Sequence, residues 1–357
     1  MRLIFTCGGT AGHIYPAVAV ANLVKARHPQ AEILFVGAEG AMETTLVPRE
    51  GYAIKTVTAR RLRHKLTPAA IAYNAKTVLK LGESRRQARE ILLEFKPDMV
   101  IGTGGYASYP LCAEAAKLKI PTAVHESNAM PGWTTRMLAA RATHMLLSFE
   151  DSKAYYKRGT EVVGTPVRGE FFQSGEKVGD KPLIVSFWGS LGARDMNRMI
   201  GDFITREIED GEFRHIHACG KSAYEAMRGR ELPQGIELRQ FIFDMPSVMN
   251  AADLVLCRAG ASTLAELCAA GKPAILIPSP NVTNNHQERN ARVLEKAGAA
   301  VVLLESDCNG DILYAKAREL LGDKERLRAM SRAARTLSVE DSAERIYQVI
   351  MRTLTKQ

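Results

Sequence analysis

The sequence predicts an α/β protein made of two doubly wound parallel-sheet domains, and three observations predict it. Short apolar runs alternate with helical patterns along most of the 357 residues, as βα units with parallel strands require. Several of these runs end in a glycine turn that leads straight into a helix. The alternation lapses once near the middle of the chain and then begins again, so the same architecture is used twice, and the length itself exceeds that of a usual single domain.

In chain order, Arg2 to Thr6 is the first strand candidate. It runs into Cys7-Gly8-Gly9-Thr10-Ala11-Gly12-His13, and an amphipathic helix to about Arg27 follows, with Pro16 near its start. Glu32 to Gly37 and Ala53 to Thr58 read as strands, with a helical pattern from about Met42 between them. After the basic run Arg60 to Lys65, a long helix is expected from Pro68 to Phe95. Met99 to Ile101 is the next strand, followed by Gly102-Thr103-Gly104-Gly105-Tyr106-Ala107-Ser108 and a helix to Leu118. Thr122 to His125 leads into His125-Glu126-Ser127-Asn128. Between Val162 and Gly179 the pattern changes, which divides the chain into an expected first domain of residues 1–163, a second of 164–340 and a terminal helix of 341–357 that returns toward the first. The second series comprises Leu183 to Trp188, the turn Gly189-Ser190-Leu191-Gly192-Ala193, Ile216 to Cys219, Asp253 to Cys257, Ala274 to Ile277 and Ala299 to Leu303. Helices over Lys324 to Arg335 and Ala343 to Arg352 close it.

Composition narrows the function. With 46% hydrophobic residues the chain can build a core, and no run approaches the ~20 apolar residues of a membrane span, so a cytoplasmic, non-integral protein is expected. The six cysteines are scattered without C-x-x-C spacing, which supports neither a disulfide framework nor a zinc site. A formal charge of +9 favours an anionic partner without choosing among nucleic acid, phosphorylated substrate and acidic membrane.

The chemistry gathers around Asp253 to Asn290. An apolar run ends in Arg258-Ala259-Gly260-Ala261-Ser262-Thr263 and a helix follows, so unpaired amides and a helix dipole face outward, as a phosphate or diphosphate needs. The polar Asn284-Asn285-His286-Gln287 follows the neighbouring strand. Thr263-x-x-Glu266 has the spacing of a capping box, yet Glu266 is also placed to accept hydrogen bonds from a ribose diol. His13 directly follows a glycine loop, where a histidine serves as a general base or simply as a helix-start residue. His125 and Glu126 are neighbours on a strand and point to opposite faces, which argues for separate roles. No Asp-x-Asp and no metal-ligand spacing occurs, so leaving-group charge must be met by helix N-termini and side chains. Gly102-x-Gly104-x-x-Ala107 with Glu126 downstream fits a dinucleotide fingerprint and makes an NAD-dependent oxidoreductase the main rival, although this turn is not in the first βα unit of its half. Lys76, Lys80, Arg85, Arg86 and Arg89 surround Ile71, Val78, Leu79 and Leu81, which reads equally as a solvated helix face and as a membrane-docking face.

The ordered series GGTAGH (Gly8 to His13), GTGGYAS (Gly102 to Ser108), HESNAMPG (His125 to Gly132), GTPVR (Gly164 to Arg168), GSLGA (Gly189 to Ala193), FIFDMP (Phe241 to Pro246), RAGASTLAE (Arg258 to Glu266) and NHQERNA (Asn285 to Ala291) resembles the MurG family, the undecaprenyl-diphospho-muramoylpentapeptide N-acetylglucosaminyltransferases of bacterial cell-wall synthesis. The resemblance implies a GT-B fold with two Rossmann-like domains facing a cleft. It also implies inverting transfer of GlcNAc from UDP-GlcNAc to the 4-hydroxyl of MurNAc in lipid I, giving lipid II, without a metal or other cofactor. By motif, Glu266 is expected on the ribose, Ser190 and Ala261, Ser262, Thr263, Leu264 and Ala265 on the diphosphate and nucleotide, Ile242 on the uracil, Arg168 on the donor side, and His286 and Gln287 on the sugar hydroxyls. Gly9, Gly104, Gly105 and Tyr106 are expected around the lipid diphosphate, Thr10, Ala11, Gly12 and Asn128 near the transferred sugar, and His13 as the base. Expected partners are the two substrates, an anionic inner-membrane surface at whose cytoplasmic side the protein docks peripherally, and other cell-wall enzymes, but no nucleic acid. A UDP-sugar transferase for another lipid and a non-catalytic membrane-docked scaffold are the further alternatives. Ala11, Ser127, Trp188 and Leu191 depart from the family pattern, standing where glycine, glutamine, glycine and glutamine are usual.

Overall fold

The computed structural model describes the chain apart from residues 61–66, 158, 174, 176–178, 190–193, 228, 230–231 and 356–357. It folds as two compact units, Met1–Val167 with Val339–Gln357, and Arg168–Ser338.

In the first unit the elements are β1 (Arg2–Thr6), α1 (Ala11–Arg27), β2 (Glu32–Ala38), α2 (Glu43–Arg49), β3 (Ala53–Val57), α3 (Pro68–Phe95), β4 (Met99–Gly102), α4 (Ser108–Lys117), β5 (Thr122–Glu126), α5 (Trp133–Ala139), β6 (His144–Leu147) and β7 (Thr160–Val162). The seven strands lie in the order β3-β2-β1-β4-β5-β6-β7, and all pairs are parallel. Period-two alternation divides the core. Leu3 and Phe5 face Ile14, Val18 and Val24 of α1 together with Ile346 and Ile350 near the C-terminus, whereas Ile4, Val36 and Val100 face Leu92 of α3 and Leu111 of α4. The sequence pattern does not announce β6, β7 or α5: the edge strand β7 is Thr160-Glu161-Val162 with a single apolar residue, and α5 spans only seven residues. Helix α1 begins at Ala11, so Pro16 lies near its start but one turn inside it. The carbonyl that proline leaves without its usual amide belongs to Gly12, still in the first turn, so the helix continues. Its buried positions, Ile14, Pro16, Ala17, Val18, Val20, Ala21 and Val24, spread over more than one stripe.

The second unit contains β8 (Leu183–Phe187), α6 (Arg194–Asp210), β9 (Arg214–Ala218), α7 (Lys221–Met227), β10 (Ile236–Arg239), α8 (Met245–Ala251), β11 (Leu254–Cys257), α9 (Ala261–Ala270), β12 (Ala274–Leu276), α10 (His286–Lys296), β13 (Ala300–Val302), α11 (Gly310–Gly322) and α12 (Lys324–Thr336). Its six parallel strands run β10-β9-β8-β11-β12-β13. Ile184, Leu254, Leu256 and Ile275 pack against Met196, Ile200 and Phe203 of α6 and Leu313 and Leu320 of α11. A last helix, α13 (Ser342–Leu354), belongs to the first unit. It is latched there by Arg27 to Glu344 at 2.7 Å and by His28 to the Tyr347 hydroxyl at 2.9 Å.

The strand orders decide where ligands can bind. In each sheet the order reverses between the first strand and its later neighbour, β1 beside β4 and β8 beside β11, with Thr6 level with Gly102 and Phe187 level with Cys257. The loops leaving those carboxyl ends diverge and leave a crevice. They are the glycine turns after Thr6, Gly102, Phe187 and Cys257.

Candidate functional site

At the first unit's switch point the two glycine loops meet. His13 is the third residue of α1, and its Nδ1 lies 3.1 Å from the Thr103 carbonyl oxygen. A carbonyl only accepts, so in the neutral ring Nδ1 carries the proton and Nε2 holds the lone pair. The Thr103 hydroxyl donates back to the His13 carbonyl at 2.6 Å. Thr10 is the N-cap of α1, and Ala11 and Gly12 are its first two residues, so their amides belong to the set that a helix leaves without internal acceptors. The methyl of Ala11 is therefore accommodated at a helix start. Tyr106 packs on Gly9, where a β-carbon would come within 2.9 Å of its ring, and a β-carbon on Gly104 would strike the His13 imidazole at 2.8 Å. The Gly9 amide, expected beside a lipid diphosphate, instead donates to Glu43 at 3.0 Å.

His125 and Glu126 take the separate roles that their strand positions require. His125 is buried, with Nε2 2.8 Å from the Gly164 carbonyl and 3.1 Å from the Ser148 hydroxyl, and burial pushes its pKa down. Glu126 accepts from the Asn128 backbone and side-chain amides at 3.0 and 2.9 Å and from Gly132 at 2.9 Å, so both carboxylate oxygens hold the loop that presents Asn128. This removes the dinucleotide reading, which needs the same carboxylate for a ribose. Ser127 is buried beside it.

At the second unit's switch point lies a pocket of about 210 Å³, lined by Phe187, Trp188, Gly189 and Arg258 and by Gly260, Thr263, Ser279 and Gln287. Gly260 is the N-cap of α9, and Ala261, Ser262 and Thr263 form its first turn, with Gly271 ending the helix in the left-handed conformation. Thr263 is thus a helical residue and no N-cap, which overturns the capping-box reading of Thr263 and Glu266. Burial pushes the Glu266 carboxyl up to about 7, and the opposing pull comes from Arg168. Leu264 is a core residue, 1% exposed, with its amide bonded to the Gly260 carbonyl at 3.0 Å. Ala265 is half-buried on the same helix. His286 opens α10, and the Gln287 side-chain oxygen accepts from the Ser279 amide at 2.8 Å, which turns its NH₂ donors away from that loop. Ile242 is 2% exposed between the exposed Phe241 and Phe243, so a ligand there would meet its backbone. Ser190 and Leu191 lie outside the described residues.

Three supporting groups were given no role by the sequence, although Arg258 and Thr103 lie within its motifs. Arg258 donates to the carbonyls of Ile277 and Pro278 at 3.0 and 3.2 Å and pairs with Glu305 at 2.6 Å, tying the ends of β11 and β12 together. Thr103 and Glu43 do the same in the first unit. The other departure, Trp188, is buried with its ring tilted 6.4 Å from that of His217, so the indole packs into the floor of the pocket. Among the described residues no group of three or more His, Cys, Asp or Glu could hold a metal ion. No described helix is long and apolar enough to cross a membrane.

Residues 3–147 match the glycosyltransferase family 28 N-terminal domain and residues 183–346 its C-terminal domain. The chain is 42% identical to the UDP-N-acetylglucosamine–N-acetylmuramyl-(pentapeptide) pyrophosphoryl-undecaprenol N-acetylglucosamine transferase of Acetivibrio thermocellus, over 98% of this chain and 97% of that one. It is 38% identical to the protein of the same name from Alkaliphilus oremlandii, over the full length of both. The crystal structure of Acinetobacter baumannii MurG superposes with a TM-score of 0.78 at 25% identity, covering 98% of this chain and 99% of that one. With both family 28 domains, two parallel sheets of the GT-B class and full-length relatives at about two-fifths identity, the chain belongs to glycosyltransferase family 28 and, within it, to the MurG family.

Proposed function

We propose that this protein is an inverting glycosyltransferase that moves GlcNAc from UDP-GlcNAc to the 4-hydroxyl of MurNAc in lipid I, forming lipid II for peptidoglycan. The observation that carries the reading is the His13–Thr103 pair: a histidine whose Nδ1 is held by a carbonyl presents Nε2 as an acceptor at a switch point. His13 Nε2 takes the acceptor hydroxyl's proton as that oxygen bonds to the anomeric carbon. The bond from that carbon to the UDP oxygen breaks, and the departing diphosphate takes the electron pair. The open amides at the start of α9 suit that charge. Glu266 accepts from the ribose hydroxyls, the Gln287 NH₂ and His286 serve the donor sugar, and the Ile242 backbone serves the uracil. Thr10, Ala11, Gly12 and Asn128 serve the transferred sugar, and Gly104, Gly105 and Tyr106 the lipid diphosphate.

The lipid acceptor requires a membrane surface, and α3 supports docking on the cytoplasmic face of an anionic inner membrane. Ile71, Val78 and Leu79 are 58%, 60% and 80% exposed. Of the flanking cations, Arg85 is bound to the buried Glu114 at 2.6 Å and Arg86 to Glu90 at 2.9 Å, so the basic contribution rests more on Lys80. Arg61 to Lys65 and the Lys76 side chain lie outside the described residues.

The test is UDP release from UDP-GlcNAc by purified protein with and without a short-chain lipid I analogue. Analogue-dependent release that disappears in His13→Ala is expected. Equal release with an unrelated lipid-linked sugar would move the reading to a transferase for another acceptor.

A further inference from the structure

We infer that Glu43 is a positioning residue for the acceptor side of the first unit, an inference that rests on the proposed transfer to lipid I. Glu43 is the first residue of α2 and is 0% exposed. Its Oε2 accepts the Gly9 amide at 3.0 Å and its Oε1 the Ala38 amide at 2.8 Å. Two glycines make room for it. A β-carbon on Gly37 would lie 2.3 Å from the Glu43 Cγ, and one on Gly8 would lie 2.9 Å from its Oε1.

The Gly8–Gly9 peptide is consequently held from both sides. Its N–H points to Glu43, and its carbonyl oxygen points at Gly105, where a β-carbon would come within 2.1 Å. Glu43 thereby fixes the plane against which the Gly104–Tyr106 loop rests, and with it the spacing between the two glycine loops. It also takes the Gly9 amide out of the set that can meet an anion, leaving Ala11 and Gly12 at the start of α1. Two acceptor oxygens are required at once. An amide side chain at this position would set its NH₂ against one of the two backbone donors.

Glu43→Gln is compared with the wild-type protein for UDP-GlcNAc and for a short-chain lipid I analogue. The KM for the analogue should rise at least tenfold while the KM for UDP-GlcNAc stays within twofold. Glu43→Asp, which keeps two acceptor oxygens on a shorter stem, should recover part of the loss. A folded Glu43→Gln with wild-type analogue kinetics, or one in which both KM values rise alike, overturns the inference. Amide hydrogen exchange of the unmodified protein tests it without any variant. The Gly9 amide should exchange at least tenfold more slowly than those of Ala11 and Gly12, and equal rates overturn it. Absence of analogue-dependent UDP release in the wild-type protein would count against the transferase reading instead, leaving the exchange result to judge Glu43's hold on the loop.

Discussion

His13 and Thr103 hold each other through two hydrogen bonds, from the ring Nδ1 to the Thr103 carbonyl at 3.1 Å and from the Thr103 hydroxyl to the His13 carbonyl at 2.6 Å. The pair joins the first turn of α1 to the loop after β4, so one contact sets both the tautomer and the place of the base. Thr103→Val keeps the shape of a side chain that is 2% exposed and deletes only the hydroxyl bond. A neutral hydrogen bond contributes about 1 kcal/mol, so kcat should fall roughly three- to tenfold with the KM for UDP-GlcNAc unchanged. His13→Gln, which cannot accept the proton, should cost roughly 10² to 10⁴ in kcat. Steady-state rates with the lipid I analogue decide both, and a fully active His13→Gln would remove the histidine from the chemistry.

Glu266 gives the donor side a pH dependence. Burial raises its carboxyl to about 7, with Arg168 opposing. Only the ionised form can accept from two ribose hydroxyls, so the KM for UDP-GlcNAc should fall as pH rises from about 6 to about 8 and then level off. Glu266→Gln should show a raised KM without that slope. The stability sign is opposite. A folded pKa above the unfolded value of 4.5 gives stability that is present below 4.5 and lost as pH rises through about 7. Urea midpoints of the wild type and Glu266→Gln over this range would separate the two effects, and parallel curves would remove the assignment.

These two sites divide what the sequence could show from what it could not. The glycine turns after Thr6, Gly102, Phe187 and Cys257 stood out because tight βα connections demand special residues at fixed places. Parallel topology then brought them together in pairs without needing any contact to be foreseen. The capping-box spacing at Thr263 and Glu266 competed with the ribose reading on spacing alone, and the fold drops it because Gly260, three residues earlier, takes the N-cap. Glu43 was invisible for a related reason. An acid in the first turn of a helix normally reads as a dipole partner, and only the folded chain shows it reaching across to Gly9 and Ala38. The strand β7 was missed because Thr160-Glu161-Val162 offers a single apolar residue, whereas the equally short β12 is wholly apolar and was legible.

A buried chain of polar groups in the second unit should make it acid-sensitive. Glu207 lies 2.7 Å from His215 Nδ1, and the Ser186 hydroxyl lies 2.7 Å from His215 Nε2 and 2.6 Å from His217 Nδ1. Burial, reinforced by His215, pushes His217 down to about 3, and its hydrogen bond with Ser186 opposes the shift. A folded pKa below the unfolded 6.5 means that stability is complete above about 6.5 and declines as pH falls toward 3, by up to about 1.4 kcal/mol per pH unit for this group. His125, lowered by burial in the first unit, adds a slope of the same sign. Comparing His217→Asn with the wild type isolates the second unit's share. The variant's urea midpoint should depend less on pH between about 5 and about 7, and an unchanged slope would show that His217 does not remain neutral in the fold.

The membrane proposal for α3 rests on apolar side chains that the fold leaves in water. Leu79 is 80% exposed, Val78 60% and Ile71 58%. Full burial of each would contribute about 1.5–3 kcal/mol, and a nearby cation about 1 kcal/mol at an anionic surface. Because Arg85 and Arg89 both face Glu114, the apolar part should dominate and salt should weaken docking only partly. Vesicles of phosphatidylglycerol and phosphatidylcholine should sediment the wild-type protein, and Leu79→Glu with Val78→Ser should reduce the bound fraction at least tenfold in partition coefficient. The same double variant should turn over the short-chain analogue in solution at the wild-type rate, since neither residue lies at a switch point. Unchanged partition would mean that α3 is a solvated face and that the lipid acceptor is reached by another surface. Loss of solution activity instead would mean that α3 supports the fold of the acceptor loops rather than the membrane.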